Sequence, residues 1–242
     1  KSAVRLTDKE SIDLNGRLDE AVWKRAEPAT GFLQQDPTAG AAATERTEVR
    51  AVFDSSRLYL GIICFDSEPD KLLGNQLQRD QSLSGDDRFM WTIDTFLDGR
   101  SGYFFQINPS GLMGDGLMSG GAGAAGGFFN FLNMQWDGIW NVRVRRSEVG
   151  WTAEVEMPFR TFNFDPKGSA WGINFQRTVR RKNEESVWSG YPRNQGLYRM
   201  ANAGVLTGIT DVSQGVGLDI KPYGLASAWN SPGRGDVGLH KD

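Results

Sequence analysis

Histidine and cysteine are almost absent from this chain of 242 residues, which has one of each, His240 and Cys64. That scarcity excludes much chemistry. A single cysteine forms no internal disulfide, and zinc sites built from His and Cys clusters need more ligands than these. Ser-His-Asp and Cys-His nucleophiles need a base held by the fold, and a histidine this close to the chain end seldom provides one. Cys64 lies inside the apolar run 60–65 and reads as a small buried hydrophobe, because apolar surroundings disfavour the thiolate. No apolar stretch reaches the roughly 20 residues of a membrane helix. A net charge of −3 supplies no basic field for nucleic acid. No leader-like stretch opens the sequence, which begins at Lys1 rather than Met, the expectation for a processed or trimmed chain.

What is present is strand chemistry. Apolar residues make up 39% and charged residues 24%, ordinary globular values, and the length allows one large β domain or two small ones. Residues 18–26 have Leu18, Val22 and Ala26 on one side and predict two turns of helix. Runs rich in aromatic and β-branched residues follow at 48–53, 58–65, 89–96, 102–108, 140–146, 151–157, 171–181 and 186–189. Turn residues separate them, for example Asp54-Ser55-Ser56 and Asp98-Gly99-Arg100. Many short strands at this spacing, with no helical periodicity between them, predict an all-β sandwich or barrel. Residues 140–146 and 151–157 predict one hairpin.

The alternation within these runs carries more than strand existence. Tyr103, Phe105 and Ile107 share one face while Phe104, Gln106 and Asn108 share the other. Ile173, Phe175 and Val179 oppose Asn174, Gln176, Thr178 and Arg180. The amide-rich faces are either solvated outer surface or a polar face for hydroxyl-rich ligands, since amides both donate and accept. Alternation alone leaves the two readings open.

Residues 111–134 open with GLMGDGLMSGGAGAAGG and read as a long flexible loop. Its glycines lack the Gly-Lys-Ser/Thr of a phosphate loop. The loop is either a mobile insertion or a lid bringing aromatics to a site. Carboxylates are plentiful, yet no spacing singles out an acid/base pair for glycoside hydrolysis. Asp66, Glu68 and Asp70 alternate as hard-cation ligands do, though such a run is more often a charged surface loop and lacks the glycine and terminal glutamate of an EF-hand.

Five blocks, in order, carry a resemblance: IDLNGRLDEAVWKRA (12–26), TERTEVRAVFDSSRLYLGIICFDSEP (44–69), DDRFMWTIDTFLDGRSGYFFQINPSG (86–111), WDGIWNVRVRRSEVGWTAEVEMPFRTFNF (136–164) and WGINFQRTVRRKNEESVW (171–188). Together they resemble the family 9 carbohydrate-binding modules, in the form found at the N-terminus of bacterial outer-membrane β-barrel proteins. GLDIKPYGLASAW (217–229) resembles the passage into such a barrel. The resemblance implies an antiparallel, jelly-roll-like β-sandwich over residues 1–212 with a short N-terminal helix, and a tail at 213–242 that begins a following barrel. It implies an exported, periplasmic or outer-membrane-associated protein, no catalysis, structural calcium, for which the spacing of Asp66, Glu68 and Asp70 supplies the candidate ligands, and an oligosaccharide or polysaccharide partner.

Carried over by motif, Asp86 and Asp87 fall where the family's acidic ligand lies. Gln106 and Asn108 fall on a polar-ligand strand, and Asn174, Gln176 and Arg177 on the late strand. Trp136 and Trp188 are the candidates for the pair of rings that clamps the sugar. Where the family has a tryptophan before the carboxylate pair, residues 82–85 read Ser-Leu-Ser-Gly. That departure favours an alternative, a structural or interaction domain that keeps the fold without binding sugar. A haem-binding reading rests on Met113, Met118 and Met134 beside the glycine-rich loop. Trp23, Trp91, Trp151 and Trp171 are expected in the core.

Overall fold

A computed structural model describes residues 1–119 and 132–215, together with the backbone of two short strands at 227–230 and 237–240. The chain runs β1 (Val4–Arg5), α1 (Ala21–Arg25), β2 (Leu33–Asp36), β3 (Thr47–Phe53), β4 (Arg57–Phe65), β5 (Arg88–Asp94), β6 (Gly102–Ile107), β7 (Met113–Met118), β8 (Leu132–Asn133), β9 (Asn141–Ser147), β10 (Gly150–Pro158), β11 (Ala170–Val179), β12 (Glu184–Val187) and β13 (Gly204–Thr207). One sheet has the order β1-β3-β4-β10-β9. The other has the order β2-β12-β11-β5-β6-β7-β8, with β13 also pairing β11. The remaining strands, β14 (Ser227–Asn230) and β15 (Val237–His240), pair antiparallel with each other. Among the described residues no helix is long and apolar enough to cross a membrane.

Strand alternation builds the core. Leu58, Leu60, Ile62 and Cys64 of β4, and Trp151, Ala153, Val155 and Met157 of β10, face Phe89, Trp91 and Ile93 of β5 and Trp171, Ile173 and Phe175 of β11. Trp91 stacks on Phe105 at 5.2 Å and meets Trp140 edge-on at 5.5 Å. The four tryptophans expected in the core are all buried. So is Cys64, whose thiol burial pushes up to about 12.

The outer face of the β4 sheet is closed by α1. Val22, Trp23 and Ala26 pack on Val52 and Tyr59. Gly61 makes this possible, since a Cβ there would sit 2.8 Å from the Trp23 ring. Trp23 Nε1 donates to Glu20 and to the buried Glu154, whose carboxylate also accepts from the backbone of Asn15 and Gly16. The helix is shorter than residues 18–26 predict. Leu18 takes φ 56° and leaves the helical region, and Glu20 is extended, so the helix begins only at Ala21.

The largest difference from the sequence reading lies at the glycine-rich segment. Residues 113–118 are not loop but strand β7, paired with β6 in the register Phe104↔Gly116 and Gln106↔Gly114. The glycines serve close packing. A Cβ at Gly114 would meet the Gln106 amide at 2.7 Å, and one at Gly116 would meet the Asn133 carbonyl at 2.9 Å. Further along the predicted loop, Leu132–Asn133 form β8 against β7, while residues 120–131 lie outside the described residues, as does most of the tail after 215. Short β2 and β13 were not legible as strands, whereas the 140–157 hairpin forms as β9 and β10.

Candidate functional site

The outer face of the second sheet is where the amides gather. The register sets Asn174, Gln176 and Thr178 of β11 beside Thr92, Met90 and Arg88 of β5, and Glu185 of β12 beside Thr178. Much of this face is covered. Met90, Phe104 and Met118 form a small apolar cluster with Leu197 and Met200, and Tyr198 stacks on Phe104 at 5.8 Å. Met118 and Met134 are therefore packing residues, and Met113 packs against the main core.

What the 190–202 segment leaves open is a polar trough. One cleft of about 340 Å³ lies between Gln176, Glu185, the end of β2 and residues 193–199. A second of about 360 Å³ continues from it past Thr178, Arg180 and Asn183, and both share Asp36, Glu185 and Arg193. A break in register builds one wall. Glu185 pairs with Asp36 and Ser186 with Gln34, so Gln35 is the extra residue of a bulge and lines the cleft. Gly196 builds the opposite wall. It takes φ +48°, and a Cβ there would meet the Gln35 amide at 2.8 Å.

Hydrogen bonds fix the trough's polar groups. Gln176 Nε2 donates to Glu185 at 3.2 Å, and Arg88 donates to Glu185 at 2.9 Å and to Thr178 at 3.0 Å. Arg193 pairs with Asp36, and Gln35 donates to the Pro192 carbonyl at 3.2 Å. Both trough carboxylates thus already hold a guanidinium.

Of the residues singled out by sequence, only Gln176 lines this trough. Asp86 accepts from the backbone of Asn75 and Gln76 and from Asn108 Nδ2, at 2.9–3.0 Å. Burial alone would raise its pKa, but these bonds outweigh burial and lower it. Asp87 accepts from the backbone of Leu73 and Arg180, both at 2.7 Å, and burial raises its pKa. Asn108 also donates to the Gln76 carbonyl and accepts from Ser110 and Leu112. Asp86, Asp87 and Asn108 therefore clasp the 73–76 loop to the sheet. Gln106 sits on the outer face between Met90 and Gly114. Asn174 donates to the Ser189 carbonyl and accepts from the Ser189 N–H.

Arg177 projects from the opposite face of β11 to Asn174 and Gln176. It donates to the Arg46 carbonyl and Thr47 and approaches Asp66. The tryptophans are not paired across a site. Trp136 packs on Tyr103 at 5.2 Å and on Phe105, whereas Trp188 packs on Phe175 at 5.5 Å and under Gly204. Both belong to the rim of the inner core.

Asp66, Glu68 and Asp70 do not fit a cation. Arg181 donates to Asp66 at 2.8 Å and to Glu68 at 3.2 Å, Lys71 pairs with Glu68, and Asp70 is exposed. Guanidinium stands where a metal would have to bind. Among the described residues no group of three or more His, Cys, Asp or Glu could hold a metal ion.

No family model matches the chain, and no curated protein sequence is significantly similar to it. Solved structures do share its fold. A family 9 carbohydrate-binding module from Caldicellulosiruptor kristjanssonii, in complex with cellotriose, aligns with a TM-score of 0.60 at 13% identity, over 92% of this chain and 100% of that one. The same source's module in complex with glucose gives 0.60 at 12% identity, over 92% and 99%. A candidate carbohydrate-binding protein from Bacteroides uniformis gives 0.63 at 12% identity, over 86% and 97%. The fold is therefore the β-sandwich of the family 9 modules, as the ordered sequence blocks implied.

Proposed function

We propose that the chain is a non-catalytic carbohydrate-binding module whose ligand lies in the trough between β2, β12 and residues 193–199. One observation carries this reading. An open cleft holds the amides of Gln35, Gln176, Asn194 and Gln195 with carboxylates and guanidiniums, on a fold that other proteins use in complex with cellotriose and glucose. Sugar hydroxyls donate and accept at once, and side-chain amides match both roles. The trough's two carboxylates, Asp36 and Glu185, are each held by an arginine, which suits binding rather than acid–base catalysis.

The same reading carries the domain into an exported, outer-membrane-associated protein with a β-barrel beyond it. Its support is the resemblance of residues 217–229 to a barrel entry. Cell fractionation of the full-length protein checks that part.

Sugar binding is tested by calorimetric titration with a panel of oligosaccharides. Gln176→Ala and Asn194→Ala should each weaken binding about fivefold, the value of one net hydrogen bond, with the fold intact. A chain that binds no glycan on the panel would be a scaffold domain instead.

A further inference from the structure

The charges of the trough do not cancel. Asp36 is paired with Arg193, and Glu185 accepts from Arg88. Arg180 in one cleft and Arg199 in the other line the same trough. Both are exposed, and among the described residues neither side chain has a hydrogen-bond or carboxylate partner. A chain with net charge −3 thus presents unspent positive charge at this polar trough. The trough is also poor in aromatic surface. Tyr198 is the aromatic in its lining and already stacks on Phe104, while Trp136 and Trp188 turn to the core. Neutral glucans are held largely through flat aromatic faces, and this site has little to offer them. Guanidinium forks suit carboxylate and sulfate, which they bind through paired, charge-assisted hydrogen bonds.

Resting on the reading that the trough binds sugar, we propose that its ligand is an anionic glycan bearing uronate or sulfate groups, and that Arg180 and Arg199 read that charge. Two features make the arginines clean probes. Among the described residues their side chains support nothing else in the fold, so truncation should leave the melting temperature unchanged. Their charge should also make affinity fall as ionic strength rises, because exposed charges are screened.

The test is a titration of the whole chain with oligogalacturonate, a sulfated oligosaccharide, a cello-oligosaccharide and polyglutamate, repeated with Arg180→Ala and Arg199→Ala. The expected result is binding of an acidic oligosaccharide at least about tenfold tighter than the neutral one, weakened about tenfold by each variant. Arg199→Lys should recover part of the loss, since it keeps the charge without the fork. If the cello-oligosaccharide binds as tightly and the variants change nothing, the anionic inference falls while sugar binding stands. Equal binding of polyglutamate would reveal a general anion surface and also overturn it. If nothing binds, the carbohydrate reading fails and takes this inference with it.

Discussion

Two patches of this molecule pair arginine with carboxylate, and they do so to different ends. At one end of the sandwich, Arg177, Arg181 and Lys182 meet Glu45, Asp66 and Glu68. Every charge there has a partner, and Asp66 and Arg177 are buried. In the trough, Arg88 and Arg193 neutralise Glu185 and Asp36, and Arg180 and Arg199 are left over. The first patch is closed on itself and joins the two sheets. The second is open and keeps charge in reserve. Charged residues mark a site only when the fold leaves them unspent.

The sharpest way to break this contrast is Asp66→Ala. It strands Arg177 in the core without its carboxylate, and loss of one partner of a buried pair costs about 3–5 kcal/mol. Denaturant unfolding should show that loss, whereas Arg199→Ala should stay within about 0.5 kcal/mol. Trp188→Ala comes next. Because the ring packs on Phe175 and under Gly204, the variant should lose about 3 kcal/mol of stability while the folded fraction titrates with the proposed glycan as the parent does. A Trp188 that clamps ligand would give the reverse pattern.

A smaller effect follows from Glu45. Burial pushes its pKa up, but hydrogen bonds from Lys182 and Ser67 prevail and bring it down to about 2 from 4.5. A carboxylate depressed in the folded state adds stability that is complete above pH 4.5 and is lost as pH falls toward 2. Urea midpoints for Glu45→Gln should therefore depend less on pH across that window than those of the parent. The smallest expected response is to metal. Calcium and EDTA should leave the melting temperature unchanged, because Arg181 already occupies Asp66 and Glu68. A rise with calcium would show that the cluster can exchange guanidinium for cation.

From the sequence came an all-β sandwich or barrel, which the resemblance of the ordered blocks narrowed to a sandwich, together with the core tryptophans and the two faces of β6 and β11, because a period of two is a local property of the strand. It also put Asn174 and Gln176 on one face. Tertiary structure decided the rest. Asp86, Asp87 and Asn108 have the side chains of a ligand set, yet whether such groups are free depends on which backbone N–H groups the fold brings to them. Here the 73–76 loop and Arg180 take them. Arg177 was put one residue off the polar face, and a single-residue step in a strand turns a ligand candidate into a core ion-pair partner. The trough joins Asp36 to Glu185 and Arg193 across more than a hundred residues, through a register break between β2 and β12. Its local signal was the alternation that put Gln176, Thr178 and Arg180 on one face. No periodicity encodes such a meeting, because it is made by pairing distant segments and not by the pattern within either one.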